Sequence, residues 1–268
     1  MKRIAVIMAV VAAGLFLWLL VKPQSLRLRI KSHILDENRN LLIHLPQDYE
    51  TSGRPYSVLF ILDAFDRLST YSPSFYRVAD RVEEMVREGL PPMILVGVVN
   101  TNRARDMLPI RTEVEPGSGR ADKFLQFFAQ ELIPYIEAKF RTTGERMLYG
   151  RSDSGLFVLY AFLENPDLFS GSIASSPTVG FCPDLIRVKT ERLFRGRPSL
   201  NKSLFIIYGD DDIPLVKDFM PDFVKLIRDL KPDHFRFEAQ VVPGGGHVPE
   251  SSLYRGLRFV CPGAAKKD

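Results

Sequence analysis

The stretch Gly150-Arg151-Ser152-Asp153-Ser154-Gly155 lies between a short apolar run at residues 146–149 and a segment of helical period at 156–163. A serine on a sharp strand-to-helix turn is a nucleophile elbow: the backbone is strained at the serine, so the residues two before and two after it must be small. Gly150 meets that need fully and Ser154 approximately. The turn is expected to present the Ser152 hydroxyl beyond the carboxyl end of the strand. It also leaves the Asp153 backbone N–H, at a helix N-terminus, free to face a developing oxyanion. A serine at this place also serves as an ordinary N-cap, so the assignment turns on what surrounds it.

Outward from the elbow, apolar runs alternate with helical segments. Leu26-Arg27-Leu28-Arg29-Ile30 alternates strictly, as a half-buried strand does, and Leu41-Leu42-Ile43 reads as its hairpin partner. The runs at 57–62 and 93–99 are continuously apolar, the mark of strands covered on both faces. Residues 75–89 carry helical spacing and close on Gly89 as a C-cap. Residues 121–140 form a stronger amphipathic helix with Phe124, Phe127, Phe128 and Leu132 on one face. Strands are expected again at 170–174, 203–208 and 235–242, and helices at about 215–230 and 253–260. This alternation predicts an α/β fold with a mainly parallel central sheet and helices on both faces, and the serine elbow makes it one of the α/β-hydrolase type. The stretches 101–120 and 177–202 read as irregular and are the candidate binding loops.

In such a fold the partners of the serine follow it in the order acid, then histidine. Of the four histidines, His33 and His44 precede Ser152, and His234 opens a strand. His247 lies in Pro243-Gly244-Gly245-Gly246-His247, a glycine-rich loop after the last strand, and is the expected general base. The acid should follow the strand ending at Tyr208, within Gly209-Asp210-Asp211-Asp212. Asp212 is the first choice, as the third residue after the glycine, with Asp210 and Asp211 as alternatives. The catalytic set is therefore Ser152, Asp212 and His247. Besides the Asp153 N–H, the oxyanion hole should draw on the turn after the strand at 57–62, where the Ala64 or Phe65 N–H is the candidate. Phe65, Arg105 and Phe181 are the candidate substrate contacts, although for Arg105 a local pair with Asp106 is the favoured reading, and Arg187 lies in the same 177–202 stretch as Phe181.

The composition narrows the partners. The net charge of +4 falls to +1 once Lys2, Arg3 and Lys22 are set aside, and no basic block interleaved with aromatics suggests nucleic acid. Lys2-Arg3 precede an unbroken apolar run at residues 4–21, longer than a typical secretory core and without small residues at its end. Residues 1–24 are thus expected to be a signal anchor, or else a cleaved signal peptide. The catalytic domain, 25–268, is expected outside the cytoplasm, in the periplasm of a bacterium, tethered to the membrane or secreted if cleaved. An oxidising compartment permits a disulfide between the two cysteines, Cys182 and Cys261. Neither cysteine has metal-ligand spacing, and no metal is expected.

The flanks of the elbow resemble the putative esterase family, which contains esterase D, enterochelin (siderophore) esterases, feruloyl esterases and mycolyltransferases. The resemblance is carried by Val96-Gly97-Val98-Val99-Asn100-Thr101 with Arg105-Asp106 and Pro109. It extends to Glu131-Leu132-Ile133-Pro134-Tyr135-Ile136-Glu137 with Phe140-Arg141-Thr142, to Ile61-Leu62-Asp63, and to Gly155-Leu156-Phe157. It spans about residue 26 to the C-terminus. It implies cleavage of a small-molecule ester through a covalent serine intermediate, without cofactor. Arg151 and Ser154 depart from the family's usual His or Gln and Gly. An acyltransferase using the same serine and a catalytically silent binding module are the alternative readings.

Overall fold

Strands β1 (Ser25–Ser32) and β2 (Glu37–His44) form the expected antiparallel hairpin, with Leu28 opposite Leu41. The structure is a computed structural model and describes residues 25–65, 74–261 and 263. The apolar run at 4–21 lies outside the described residues, and among those described no helix is long and apolar enough to cross a membrane.

The remaining strands are β3 (Tyr56–Ile61), β4 (Met93–Val98), β5 (Thr142–Arg151), β6 (Gly171–Ser175), β7 (Ser203–Gly209) and β8 (Arg236–Val242). They join the hairpin in one eight-stranded sheet of order β1-β2-β4-β3-β5-β6-β7-β8, parallel from β4 onward. The central strands are apolar on both faces because both are covered. In β3, Val58 and Phe60 enter one core, and Leu59 and Ile61 the other. On the second face lie α1 (Phe75–Arg87) and α9 (Ser252–Val260). On the first lie α3 (Ala121–Phe127), α4 (Ile133–Lys139), α5 (Asp153–Glu164), α6 (Pro183–Gly196) and α8 (Met220–Leu230). Short helices α2 (Arg103–Met107) and α7 (Pro214–Lys217) interrupt the loops.

Three differences from the sequence reading have physical causes. The helix at 121–140 widens into a π turn at Phe128–Leu132. Pro134 has no N–H to offer the Gln130 carbonyl, so the regular ladder cannot continue there. The helix at 215–230 splits because Pro221 is tolerated only in a first turn, where α8 begins. The stretch 177–202 is not irregular: α6 occupies most of it, buries Ile186, Thr190, Leu193 and Phe194, and has Pro183 in its first turn. Its many charges lie on the outer face and mask that stripe. The two cysteines are free and buried, Cys182 in the first core and Cys261 in the second, with the sheet between them. The disulfide is therefore absent.

Candidate active site

Strand β5 ends at Arg151 and α5 begins at Asp153, leaving Ser152 on the turn with φ 56° and ψ −124°. Such a backbone costs on the order of 1–3 kcal/mol and persists only where its surroundings hold it. The neighbours explain how. A Cβ on Gly150 would collide with the Ser154 carbonyl, and one on Gly155 would lie 2.8 Å from the Ser175 carbonyl oxygen. The Ser152 N–H donates to that same Ser175 oxygen at 2.9 Å, tying the turn to β6.

The imidazole of His247 bridges two side chains from distant parts of the chain. Its Nε2 lies 2.9 Å from Ser152 Oγ and its Nδ1 2.6 Å from Asp212 Oδ1. Asp212 follows β7, is buried, and accepts further bonds from Ser176 Oγ at 2.6 Å and the Ile213 N–H at 2.7 Å. Burial acts to raise its pKa, but the bonds from His247, Ser176 and Ile213 outweigh it, and the carboxyl stays below its ordinary range. A carboxylate at Nδ1 selects the tautomer with a bare Nε2, which is the form able to take a serine proton.

The other two aspartates hold the loop rather than the ring. Asp210 Oδ1 accepts from the Gly244 N–H at 2.8 Å, and Asp211 Oδ1 from the Gly246 N–H at 2.6 Å. Any side chain on Gly209 would strike Gly246, so β7 and the histidine loop pack backbone to backbone. Ser176 Oγ also accepts from the Val248 N–H at 2.9 Å and so fixes the loop beyond the histidine. Ser176 went unread in the sequence; its signal was a polar pair, Ser175-Ser176, closing an apolar strand.

The oxyanion candidates divide. The Ala64 N–H already donates to the Val98 carbonyl at 3.2 Å, which removes it from the set. The Phe65 and Asp153 N–H groups have no acceptor among the described residues. Ser154 is more than a tolerated substitute for glycine: its Oγ accepts from the Arg151 N–H at 2.8 Å and lies 2.7 Å from Asp63 Oδ2. Arg105 does not face the site. It pairs with Glu37 at 2.7 Å and with Asp106 at 2.8 Å, which directs its charge to the β2 end of the sheet. The arginine that reaches the elbow is Arg103, two residues earlier, bonded to Asp63 and Asp153. Phe181 sits on the turn Val179–Phe181, half-buried against the first core. A groove beside it, about 400 Å³, is lined by Val179, Pro183, Arg187, Phe219 and Phe223 among others. Among the described residues no cluster of metal-ligating side chains occurs.

A family model described as Putative esterase matches residues 32–221. The chain is 26% identical over 229 residues to the ferri-bacillibactin esterase BesA of Bacillus subtilis, covering 76% of this chain and 78% of that protein. A crystal structure of an IroE-like serine hydrolase from Shewanella oneidensis superposes with a TM-score of 0.78 at 29% identity, covering 87% of this chain and 79% of the other. The BES protein from Bacillus cereus shares the fold at a TM-score of 0.76, with 23% identity over 91% of this chain and 97% of the other.

Proposed function

Because the chain belongs to the putative esterase family and is a serine carboxylic-ester hydrolase of α/β-hydrolase fold, we propose that Ser152, His247 and Asp212 form its triad and that the reaction passes through an acyl-enzyme. The observation that carries the reading is the unbroken hydrogen-bond chain from Ser152 Oγ through the imidazole to Asp212.

The chemistry follows from that chain. His247 Nε2 takes the hydroxyl proton as Ser152 Oγ attacks the ester carbonyl carbon, and the carbonyl electron pair moves onto oxygen. The Phe65 and Asp153 N–H groups stabilise that oxyanion. Its collapse breaks the bond to the alcohol oxygen, which leaves with the proton from His247. Water then gives its proton to His247 and attacks the acyl-enzyme. Oγ departs as the acid is released, and the serine regains its proton. Asp212 stays ionised throughout and stabilises the imidazolium.

For substrate class we propose siderophore esters, supported by BesA, the ferri-bacillibactin esterase. We place the enzyme outside the cytoplasm, anchored by residues 4–21, on the support of Lys2-Arg3 and the apolar run alone. Hydrolysis of a catecholate trilactone and of p-nitrophenyl butyrate, followed by liquid chromatography and absorbance, tests the first proposal. Wild type is expected to cleave both and Ser152→Ala neither. Turnover by Ser152→Ala near the wild-type rate would reject the triad, and inertness toward the trilactone alone would reject the substrate class. Membrane fractionation of full-length chain against chain lacking 1–24 tests the anchor, which fails if both remain soluble.

A further inference from the structure

The outermost strand of the sheet carries charge of one sign on one face. Side chains alternate across β1: Leu26, Leu28 and Ile30 pack toward the first core, which turns Arg27, Arg29 and Lys31 to the second face, where they are exposed. The strand has no carboxylate, and the residues opposite Arg29 and Lys31 in β2 are Asn40 and Asn38. Arg27 Nε donates to Tyr76 Oη of α1 at 3.3 Å, and Ser25 Oγ lies 2.9 Å from His44 Nδ1, so the start of the strand is held in place.

Charged residues on an edge strand guard it against pairing with another chain, but that role does not ask for a single sign. The opposite edge, β8, shows the contrast. Its alternate residues are Arg236, Glu238 and Gln240; Gln240 Nε2 donates to Glu238 Oε1 at 2.5 Å, and Arg236 Nη2 to the Phe259 carbonyl at 2.6 Å. The net charge after residue 22 is only +1, so the cations of β1 are a local concentration rather than general basicity.

Position supplies the partner. Ser25 lies four residues beyond the apolar run at 4–21, a covalent reach of at most about 14 Å. We infer that the Arg27-Arg29-Lys31 face of β1 docks on the anionic headgroups of a membrane. The inference rests on the anchor proposed for residues 4–21, which holds this strand within one or two Debye lengths, about 8 Å each, of the lipid surface. Because β1 is antiparallel to β2, and β2 to β4, Ser25 stands at the end of the sheet remote from Ser152, Asp212 and His247. From there the stripe runs about 23 Å toward the crevice end. Docking by this flank leaves the crevice open to solvent, where a water-borne ester can enter. Each cation near an anionic surface contributes about fivefold in affinity, so Arg29 and Lys31 together contribute about 25-fold.

The test uses full-length chain carrying His33→Cys, at the exposed turn beyond Lys31, labelled with bimane; Cys182 and Cys261 are buried and stay unlabelled. It is reconstituted in vesicles of phosphatidylcholine, with or without phosphatidylglycerol, that hold a lipid with a spin-labelled headgroup as a contact quencher. Quenching is expected in the anionic vesicles alone, and is lost at about 1 M salt, where the Debye length is about 3 Å. Arg29→Gln/Lys31→Gln should lower the ratio of docked to undocked chain by about 25-fold, while Arg29→Lys/Lys31→Arg should leave it within about threefold. Both variants should hydrolyse p-nitrophenyl butyrate at the wild-type rate, which reports an intact fold. Equal quenching in the two kinds of vesicle, or in the Gln variant, overturns the inference. If the Gln variant does not fold, the lipid and salt dependence of the wild type decides. Flotation separates the stripe from the anchor. Chain that floats with pure phosphatidylcholine at high salt upholds the anchor, and the quenching then judges the stripe alone. Chain that floats only with phosphatidylglycerol, and not as Arg29→Gln/Lys31→Gln, removes the anchor and keeps the stripe. Chain that floats with neither overturns both.

Discussion

Asp210, Asp211 and Asp212 are chemically identical neighbours with different work, and their bonds separate them. Asp212 touches the imidazole, while Asp210 and Asp211 each hold one backbone N–H of the glycine loop. Asp212→Asn should lower kcat by about 10²–10⁴-fold, because an amide no longer selects the productive tautomer. Asp210→Asn should cost less than about tenfold, since a neutral carbonyl can still accept from Gly244. Steady-state kinetics of the two variants checks both. Asp63 and Asp212 both have pKa values depressed by folding. Their contribution to stability is thus complete above the unfolded carboxyl value of about 4 and is lost as pH falls through the folded values below it. Thermal unfolding should be flat in this respect from pH 7 to about pH 5 and fall steeply below pH 4. Asp63→Asn should flatten the acid side; an unchanged slope would contradict that account.

At the scale of the elements, the elbow is a matter of clearance. Only glycine fits at 150, because a Cβ there would meet the Ser154 carbonyl of the following turn. Gly150→Ala should destabilise the fold by about 1–3 kcal/mol in chemical denaturation and depress activity in the folded fraction. Unaltered stability would mean the turn is less tightly wound than described. The elbow was legible because its constraints are local: a small residue, a serine, and a change of period from strand to helix. So was the order in which Asp212 and His247 follow Ser152 to one place, since loops at the ends of successive parallel strands must face the same crevice. What stayed hidden were side chains whose meaning is set across the sheet. Nothing in Asn100-Thr101-Asn102-Arg103 marks which cation will turn toward Asp63, and Arg105 carried the same charge two residues on. Helix α6 was hidden differently: its charged face outweighed an apolar stripe at residues 186, 190, 193 and 194.

At the scale of the whole molecule, the sheet is the organising surface. It was foreseen from continuous apolar strands, and its two faces give two cores that place the cysteines apart. The burial of Cys182 and of Cys261 pushes each thiol up to about 12. Native protein should therefore not react with a thiol-specific chromogenic disulfide until it is denatured, when two equivalents should appear. A Tm that falls on adding reductant would instead reveal a bridge. The same sheet collects Ser152 after β5, Asp212 after β7 and His247 after β8 at one edge, although residues 152 and 247 are far apart in sequence. Covalent labelling tests that convergence most directly. Intact and peptide mass spectrometry after treatment with a fluorophosphonate should show one adduct, on the peptide containing Ser152. The adduct should be absent from Ser152→Ala and formed much more slowly in His247→Ala. An adduct on another residue, or undiminished labelling of Ser152→Ala, would contradict the assignment.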